Sequence, residues 1–532
     1  MAATLPQLLD TIAARQGDAV ALWYGAGSRS WADLAAESRR VAGGLARLGI
    51  GVDDRVALWL PNGPAWLTLL FGIARRGAVA FAVNTRFRQR EMADVLGRSR
   101  VRALVLWPGF KGLGFLDILA ATDPAALARI DTVVLYDEGE AAPALPAVLA
   151  HARIVRYADL ASAPGQAANL AAPGMGVAAF TTSGTTSAPK FVLHPHRSIT
   201  AHAPLAARAL GFADAGSATL QALPFCGVFG FCQAMASIAA AAPMAVQPFF
   251  DPTGALAAIG RHRLTATNAT DDMLERLLAE DPLGRRLGGL RRCGFAAFKA
   301  PERSDLVAAC DRFGTSLVGL YGMSEVQALY AAQPADAAAV VRVRAGGVPV
   351  SPDASVRIRA IDGDALLPDG EAGLIEASGP SLMAEYLDDP AATAAAFTED
   401  GFLRTGDIGH READGSFVYL TRSGDVLRLQ GFLVSPREIE AFLEDEAAVD
   451  RAQVVAAEGP DGRRAVAFVT LHPGAALAEA ELTARARAAL ASYKVPARIV
   501  AVDAFPMTES ANGMKIQRAK LREAAARLLR AG

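Results

Sequence analysis

The sequence is poor in cysteine and in clustered metal ligands. Its 532 residues include four cysteines and seven histidines, and no two cysteines form a C-x-x-C pair. This pattern excludes a disulfide-stapled secreted scaffold and a zinc-finger type of site. We therefore expect reduced thiols in a cytoplasmic protein.

An excess of charge of one sign is also missing. The 53 basic and 55 acidic residues leave a formal net charge of −2, and no long block of like charge occurs. This balance argues against a nucleic-acid binder. The first apolar segment carries Asp10 and has no basic flank, so we expect no signal peptide.

The longest stretch without charge runs from Ala215 to Phe250. Proline, glycine and glutamine residues interrupt it throughout. A membrane-spanning helix needs roughly 20 predominantly apolar residues in a row. The stretch therefore predicts a buried helix followed by a buried strand, and no integral membrane segment.

Helices and apolar strands alternate in the first part of the chain. Ser30 and Asp33 form the pattern of a helix start with a capping box. Strands are predicted over 55–60 and 78–83, with a helix over 64–76 between them. This order predicts a mostly parallel, doubly wound sheet.

The chain is too long for one hydrophobic core, so two or more domains are expected. Residues 138–174, rich in alanine and proline, are expected to be loosely structured. Near Arg422 to Asp425, glycine and charge mark a hinge. We therefore predict an N-terminal domain over 1–423 and a smaller α+β module over 424–532.

The central motif is TTSGTTSAPK, residues 181–190, which follows an apolar run typical of a buried strand. Small hydroxyl residues around a glycine let backbone and side-chain donors converge on phosphate oxygens, and a lysine adds positive charge. The motif lacks the Gly-Lys-Ser/Thr spacing of the common P-loop. A polar surface loop is the alternative. The candidate phosphate ligands are Thr182, Ser183, Gly184, Thr185, Thr186 and Lys190.

Two acids and a second lysine stand in short motifs further along. Glu325, beside Ser324, follows an apolar strand and is placed to hold Mg²⁺ on phosphates. Asp407 lies in a predicted tight turn and can accept hydrogen bonds from a ribose diol. Lys515 follows a glycine turn. Each of these residues, taken alone, can equally be a solvated or turn-stabilising side chain.

Taken in order, the motifs resemble the adenylate-forming superfamily of acyl-CoA synthetases, peptide-synthetase adenylation domains and luciferases. The resemblance covers nearly the full chain. It is carried by residues 30–48, 55–60 and 84–96, the phosphate loop, YGMSE (321–325), GEAGLIEASGPSLMAEYL (370–387), GFLRTGDIG (401–409) and GMKIQR (513–518). It implies an α/β fold: a large N-terminal domain of βαβ-type doubly wound sheets, and a small α+β C-terminal domain that rotates between catalytic steps.

The resemblance also implies an AMP-forming acid–CoA ligase, with ATP, Mg²⁺ and coenzyme A taking part. A carboxylate would attack the α-phosphate of ATP to give an acyl-adenylate and pyrophosphate, and coenzyme A would then release AMP. The implied partner is a small-molecule carboxylic acid, as in fatty acid metabolism. A homodimer stays open.

The residue roles implied by the resemblance fall into four groups. The triphosphate would be held by the 182–186 loop and Lys190. The adenosine contacts would be Ala296, Ala297, Tyr321, Gly322, Asp407 and Arg422. The catalytic residues would be Glu325 for Mg²⁺, Ser324 for the α-phosphate, and Lys515 between that phosphate and the attacking carboxylate. Gly431 would line the pantetheine passage.

The sequence departs from the family pattern at several positions. Ser187 replaces a usual glycine, Gly227 a usual histidine, and Gly424 stands at the hinge. Phe298 and Lys299 replace a common proline and leucine. The candidate acid-pocket residues are mostly apolar: Phe225, Gly227, Phe229, Ala297, Gly319, Met323 and Val326. They favour an aliphatic or aromatic monocarboxylate, whereas Lys299 can favour a second carboxylate.

Two alternatives remain beside the CoA ligase. One is an enzyme that adenylates an acid for a carrier protein or on its own. The other is a non-catalytic relative that binds nucleotide or acid, which only Ser187 and Gly227 support. Retention of Lys190, Glu325 and Lys515 argues against it.

Overall fold

The computed structural model describes residues 2–137, 144–165, 168–182, 189–297, 303–429, 432–434, 436–459, 462–510 and 513–531. The chain divides into two compact units. Unit 1 comprises Met1–Ser355 and Ser378–Thr398, and unit 2 comprises Val356–Ala377 and Glu399–Gly532. Within the described ranges, every helix is too short or too polar to cross a bilayer.

The α-helices of the described ranges are numbered in chain order. They are α1 Leu5–Gln16, α2 Trp31–Arg47, α3 Pro64–Arg75, α4 Gln89–Ser99, α5 Phe115–Ala121, α6 Pro124–Leu127, α7 Tyr157–Ala161, α8 His196–Ala209, α9 Val228–Ala239, α10 Pro252–His262, α11 Asp271–Glu280, α12 Ser304–Asp311, α13 Ala339–Arg342, α14 Pro390–Ala396, α15 Pro436–Glu444, α16 Glu479–Ala489 and α17 Arg518–Ala531.

The β-strands follow in the same order. They are β1 Val20–Tyr24, β2 Gly27–Ser30, β3 Arg55–Trp59, β4 Val79–Ala82, β5 Ala103–Leu106, β6 Thr132–Leu135, β7 Arg153–Arg156, β8 Gly176–Thr181, β9 Phe191–Pro195, β10 Thr219–Gln221, β11 Met244–Val246, β12 Ala266–Thr270, β13 Arg292–Ala296, β14 Ser316–Tyr321, β15 Ala331–Ala332, β16 Gly346–Pro349, β17 Ser355–Arg359, β18 Gly373–Ser378, β19 Glu385–Tyr386, β20 Leu403–Arg411, β21 Phe417–Arg422, β22 Leu427–Leu429, β23 Phe432–Val434, β24 Val449–Gly459, β25 Gly462–Leu471, β26 Arg498–Ala501, β27 Met507–Ser510 and β28 Gly513–Ile516.

Unit 1 is built on two sheets whose central strands are parallel. One has the order β19-β9-β8-β4-β3-β5-β6-β7, with parallel pairing from β8 to β7. The other runs β16-β15-β14-β13-β12-β10-β11-β1-β2, and its strands from β14 to β1 are parallel. Parallel strands joined by helices expose their carboxyl ends at one edge, where ligands bind in such folds.

The local predictions for unit 1 are largely confirmed. Ser30 caps α2, and the reciprocal bond to Asp33 completes the capping box. The predicted strands and the helix between them correspond to β3, α3 and β4. In the uncharged stretch, α9 is buried along almost its whole length and β11 follows it, although the short strand β10 precedes both.

The expectation of loose structure over 138–174 is wrong for residues 153–161. There β7 adds a parallel strand to β6, and α7 buries Tyr157. The Tyr157 hydroxyl lies 2.5 Å from Thr68 Oγ1 and donates to Glu37 Oε1, also at 2.5 Å. These contacts join residues about 90 to 120 positions apart, so local composition carries no sign of them.

The described part of unit 2 contains four groups of strands, of which β22–β23 and β27–β28 are two-stranded. Strands β17, β18, β20 and β21 lie side by side in that order. The β24–β25 hairpin pairs with β26 in parallel, and its two faces carry separate apolar clusters. The α+β character predicted for the C-terminal module is confirmed after residue 435, where helices α15, α16 and α17 are interleaved with strands β24 to β28.

The predicted fold class is confirmed: a large α/β part with sheets precedes a small α+β C-terminal part. Unit 2 is larger than the 424–532 module, because 356–377 and 399–423 contribute its strands β17, β18, β20 and β21. The domain boundary between residues 423 and 424 is placed at a predicted hinge, and it stays a prediction. So does the rotation between catalytic steps.

One buried ion pair holds the C-terminal helix to the rest of unit 2. Glu440, on α15, is 1% exposed. Its Oε1 accepts hydrogen bonds from Arg518 Nη2 at 2.9 Å and from the Val454 amide at 3.0 Å. Removing one partner of such a pair leaves an uncompensated buried charge.

We expect Arg518→Ala to lower the local opening free energy around β24 and α15 by about 3 kcal/mol or more. Hydrogen-exchange mass spectrometry of peptides from these elements measures it. Arg522→Ala is the matched control, because its partner Asp425 is about a quarter exposed and such pairs contribute about 1 kcal/mol or less. Equal, small decreases of the local opening free energy in both variants would contradict the assignment of Glu440 and Arg518 as a buried ion pair.

Candidate active site

The base of the phosphate loop is a closed hairpin. Strands β8 and β9 pair antiparallel, with Thr181 opposite Phe191. The Thr182 amide donates to the Lys190 carbonyl at 2.9 Å, and the Lys190 amide donates to Thr182 Oγ1 at 3.0 Å. The predicted ligands Ser183, Gly184, Thr185 and Thr186, and also Ser187, lie outside the described residues.

A lysine, a tyrosine and a glutamate form a contact chain beside this loop. Lys190 Nζ lies 4.4 Å from the centroid of the Tyr386 ring. The Tyr386 hydroxyl donates to Glu325 Oε1 at 2.7 Å. Glu325 is 6% exposed and Tyr386 is 7% exposed. The structure therefore brings the predicted phosphate lysine and the predicted metal carboxylate to one tyrosine.

The main chain around Glu325 is anchored on both sides. Ser324, Glu325 and Val326 form a 3-10 turn after β14. The Ser324 carbonyl accepts a 2.7 Å bond from His194 Nε2, and the Glu325 carbonyl accepts one from the Met383 amide at 2.8 Å. The main chain of the turn cannot shift without breaking one of these bonds.

The same loop is tightly packed and strained. A side chain at Gly322 would place its Cβ 2.0 Å from the Ala328 carbonyl oxygen, so glycine is required there. Gln327 and Ala328 have φ values of 59° and 60°, which non-glycine residues rarely adopt. Strain of this kind persists where the surroundings hold it, often at functional sites.

Three buried histidines support β9 and α8 behind the turn. Burial lowers the pKa of His194 and of His196 to about 4, and that of His202 to about 3. His194 is therefore neutral near pH 7, and its Nε2–H is the donor to Ser324. His196 Nδ1 accepts the Leu5 amide at 3.2 Å. Neither ring nitrogen of His202 has a hydrogen-bond partner among the described residues.

In unit 2, the predicted ribose ligand pairs with the predicted arginine. Asp407 and Arg422 lie opposite each other on β20 and β21, and Arg422 Nε is 2.8 Å from Asp407 Oδ1. The expected tight turn at Asp407 is wrong, because residues 403–411 form strand β20 and pair on both edges. Gly406, with a φ of 71°, still bends the strand there.

The remaining predicted contacts are placed as follows. Tyr321 is buried at the end of β14, and Ala296 and Ala297 are half-buried at the end of β13. Gly431, Phe298 and Lys299 lie outside the described residues. Lys515 lies on β28 opposite Thr508, and its side chain is outside what the structure describes.

Most of the residues predicted to form the acid pocket are buried. Phe225, Phe229 and Val326 are buried, Met323 is half-buried, and Gly227 is the N-cap of α9. A Cβ at Gly319 would lie 2.2 Å from the Arg344 carbonyl, so this glycine serves close packing. Assignment of these residues to an acid pocket stays a prediction.

The donor set fits magnesium bound together with phosphates. No group of three or more His, Cys, Asp or Glu side chains that suits a metal occurs among the described residues. Mg²⁺ usually needs only one or two carboxylates, because waters and substrate phosphates complete its shell. The buried Glu325 carboxylate meets that requirement, and the Lys190 ammonium over the same tyrosine is a positive charge suited to the phosphates.

Sequence reasoning missed Tyr386 and His194. Tyr386 stands in the quoted 370–387 motif, but its role depends on a partner 61 residues away. His194 follows the phosphate motif by four positions and contacts a carbonyl 130 residues away. Tyr386 is the one aromatic residue of the 370–387 motif, which is a local signal for it, whereas nothing local marks His194.

The comparisons with known proteins define the class. The family model described as AMP-binding enzyme matches residues 9–387. The family model described as AMP-binding enzyme C-terminal domain matches residues 438–512. The chain therefore belongs to the family of AMP-binding enzymes. The predicted membership of the adenylate-forming superfamily is confirmed.

Particular relatives align over almost their whole length. The sulfoacetate–CoA ligase of Cupriavidus necator is 29% identical, over 98% of this chain and 99% of its own. The 3-[(3aS,4S,7aS)-7a-methyl-1,5-dioxo-octahydro-1H-inden-4-yl]propanoyl:CoA ligase of Mycobacterium tuberculosis is 32% identical, over 98% of both chains. The crystal structure of ATP-bound MatB from Rhodopseudomonas palustris superposes with a TM-score of 0.84, at 25% identity and full coverage of both chains.

The buried histidines generate a pH prediction. Because burial depresses the pKa of His202 to about 3, the unfolded chain binds a proton there at a pH where the folded chain does not. Stability from this group is complete above about pH 6.5 and is lost as the pH falls. As the pH falls from about 6.5 to about 5, we expect protonation of one such histidine in the unfolded chain to lower the free energy of unfolding by about 2 kcal/mol.

His202→Leu should therefore flatten the pH dependence of the free energy of unfolding over this window by that amount. Urea unfolding followed by tryptophan fluorescence measures it, since all five tryptophans precede residue 108. His151→Leu is the control, because His151 is exposed. Identical slopes for wild type and His202→Leu would refute a buried neutral imidazole.

Proposed function

We propose that this protein is an AMP-forming acid–CoA ligase, which activates a carboxylic acid as its acyl-adenylate and then transfers the acyl group to coenzyme A. The class agrees with its relatives, which are named as CoA ligases over nearly the full chain. The observation that carries the proposal is the convergence of Lys190 and Glu325 on Tyr386, next to the hairpin of the phosphate motif.

The chemistry proceeds in two balanced displacements. A carboxylate oxygen of the acid attacks the α-phosphorus of ATP, and the bond to the bridging oxygen breaks to release pyrophosphate. The thiol of coenzyme A, losing its proton, then attacks the acyl carbon, and AMP leaves. Both steps build negative charge, so they depend on positioned cations more than on an acid–base pair.

We assign the triphosphate end to unit 1 residues. Glu325 holds Mg²⁺, which neutralises charge on the phosphates when it is bound. Lys190 places an ammonium group at the β- and γ-phosphates, with donors from the 182–186 loop beside it. Ser324 contacts the α-phosphate. The support is the burial of Glu325 and its fixed main chain.

The remaining nucleotide contacts follow the family pattern. Tyr321, Gly322, Ala296 and Ala297 serve the adenine. Asp407 accepts from the ribose hydroxyls, and Arg422, which forms an ion pair with it, aligns the carboxylate. Lys515 bridges the α-phosphate and the attacking carboxylate, and Gly431 lines the pantetheine passage.

For the acid, we propose an aliphatic or aromatic monocarboxylate. The apolar and buried character of Phe225, Phe229 and Val326 supports this class. We also propose a cytoplasmic location, because all four cysteines are free and buried, as in proteins of reducing compartments. A homodimer stays a prediction.

The activity is tested by acid-dependent exchange of pyrophosphate into ATP across chain lengths, aryl acids and dicarboxylates. We expect exchange with monocarboxylates, and AMP release once coenzyme A is added. Discharge by carrier protein and not by coenzyme A would overturn the ligase assignment. A preference for dicarboxylates would overturn the monocarboxylate assignment, and ATP binding without any exchange would indicate a non-catalytic relative.

Lys515→Ala should reduce pyrophosphate exchange at least about 100-fold, because it removes a charge stabilising the first displacement. Thioester formation from supplied acyl-adenylate should stay within about twofold of wild type. Lys520→Ala, an exposed neighbour on α17, should change neither step. Equal loss of both steps in Lys515→Ala would contradict its assigned role.

A further inference from the structure

We propose that Tyr386 is a positioning residue for both charged groups of the triphosphate end: its hydroxyl aligns the Glu325 carboxylate for Mg²⁺, and its ring holds the Lys190 ammonium apart from that carboxylate. The inference rests on the proposed function, in which Glu325 binds the metal and Lys190 the phosphates. It adds a residue to which neither the family motifs nor the relatives' names give a role.

The Tyr386 hydroxyl orients the Glu325 carboxylate and leaves it able to bind a cation. Tyr386 donates one 2.7 Å bond to Glu325 Oε1, whereas an ionised carboxylate offers about four lone-pair sites on two oxygens. The bond therefore selects one orientation and leaves acceptor capacity for a cation. A neutral donor also leaves the negative charge intact. Outer-shell hydrogen bonds of this kind orient metal ligands in many sites.

The ring separates two groups that would otherwise neutralise each other. Lys190 Nζ lies over the ring face at 4.4 Å from its centroid, while the hydroxyl at the ring's edge reaches Glu325. The described contacts of Lys190 and Glu325 include no ion pair between them. A direct pair would occupy the positive charge needed by phosphate and the negative charge needed by the metal.

The backbone fixes the tyrosine relative to both partners. Strand β19 pairs antiparallel with β9, placing Tyr386 opposite Val192, and Lys190 directly precedes β9. Ala384 and Leu387 donate to carbonyls of β9 at 2.8 and 2.7 Å, and Met383 donates to the Glu325 carbonyl. One strand thus sets the spacing between the phosphate lysine, the tyrosine and the metal loop.

A purely structural tyrosine would give a different pattern of defects. Loss of packing lowers stability and impairs both displacements, since both use the same folded unit. Loss of positioning weakens metal binding and the first displacement, which releases pyrophosphate, and spares thioester formation from supplied acyl-adenylate. The two roles are therefore separable by measuring the metal and the two steps independently.

The test compares Tyr386→Phe, Tyr386→Leu and wild type by Mn²⁺ binding in the presence of a non-hydrolysable ATP analogue. Electron paramagnetic resonance of free Mn²⁺ is the readout. We expect Tyr386→Phe to weaken Mn²⁺ binding about tenfold, as for other outer-shell partners, with binding of the analogue at saturating Mn²⁺ nearly unchanged. Tyr386→Leu, which also removes the ring under Lys190, should additionally weaken binding of the analogue.

The matched control is Tyr157→Phe, which removes a buried hydroxyl that likewise donates to a glutamate, Glu37. It should leave Mn²⁺ binding unchanged. In Tyr386→Phe, pyrophosphate exchange should need about tenfold more Mg²⁺, whereas thioester formation from supplied acyl-adenylate should not change.

Wild-type Mn²⁺ affinity in Tyr386→Phe, or equal impairment of both steps, would overturn the inference. Failure of the proposed function is distinguishable, because it would appear in the wild type as absent exchange with every acid, while the Mn²⁺ comparison between variants still reports on Tyr386.

Discussion

In the proposed site, the carboxylate assigned to Mg²⁺ must not pair with the lysine assigned to phosphate. This constraint governs the contacts among Lys190, Tyr386 and Glu325. Glu325 is almost fully buried, so a neutral donor is the partner that satisfies it and leaves its charge intact, and Tyr386 supplies one. The same tyrosine presents its ring to Lys190. Two opposite charges are thus kept close together but free to bind ligands.

The rest of the framework makes this arrangement rigid. The Ser324–Glu325 main chain is anchored by His194 on one side and by Met383 on the other. Burial keeps His194 neutral, so it acts as a hydrogen-bond donor to Ser324 without bringing a positive charge to the turn. Gly322 and the left-handed residues after the turn show that the loop is closely packed and strained. Because such a loop is already ordered in the folded protein, substrate binding does not have to supply the free energy that orders it.

Much of the fold could be predicted from the sequence. The capping box at Ser30 and the apolar strands around α3 were visible in patterns of neighbouring residues within a few positions. Two errors have a common cause. Local composition places residues 153–161 and Asp407 in loose or turn structure, yet residues 153–156 and Asp407 belong to strands that pair with other segments of the chain. Strand pairing of this type is decided by partners that local composition does not reveal.

By itself, the sequence determined the family, the α/β class and the chemical kinds of residue that the site uses, because motifs such as TTSGTTSAPK and YGMSE are local and ordered along the chain. Only the tertiary structure decided how those residues are held. Tyr386 lies 61 positions from Glu325, and His194 lies 130 from Ser324. Tyr386 is placed by the β9–β19 pairing, and His194 contacts Ser324 from β9. Such contacts exist only once distant segments have packed together.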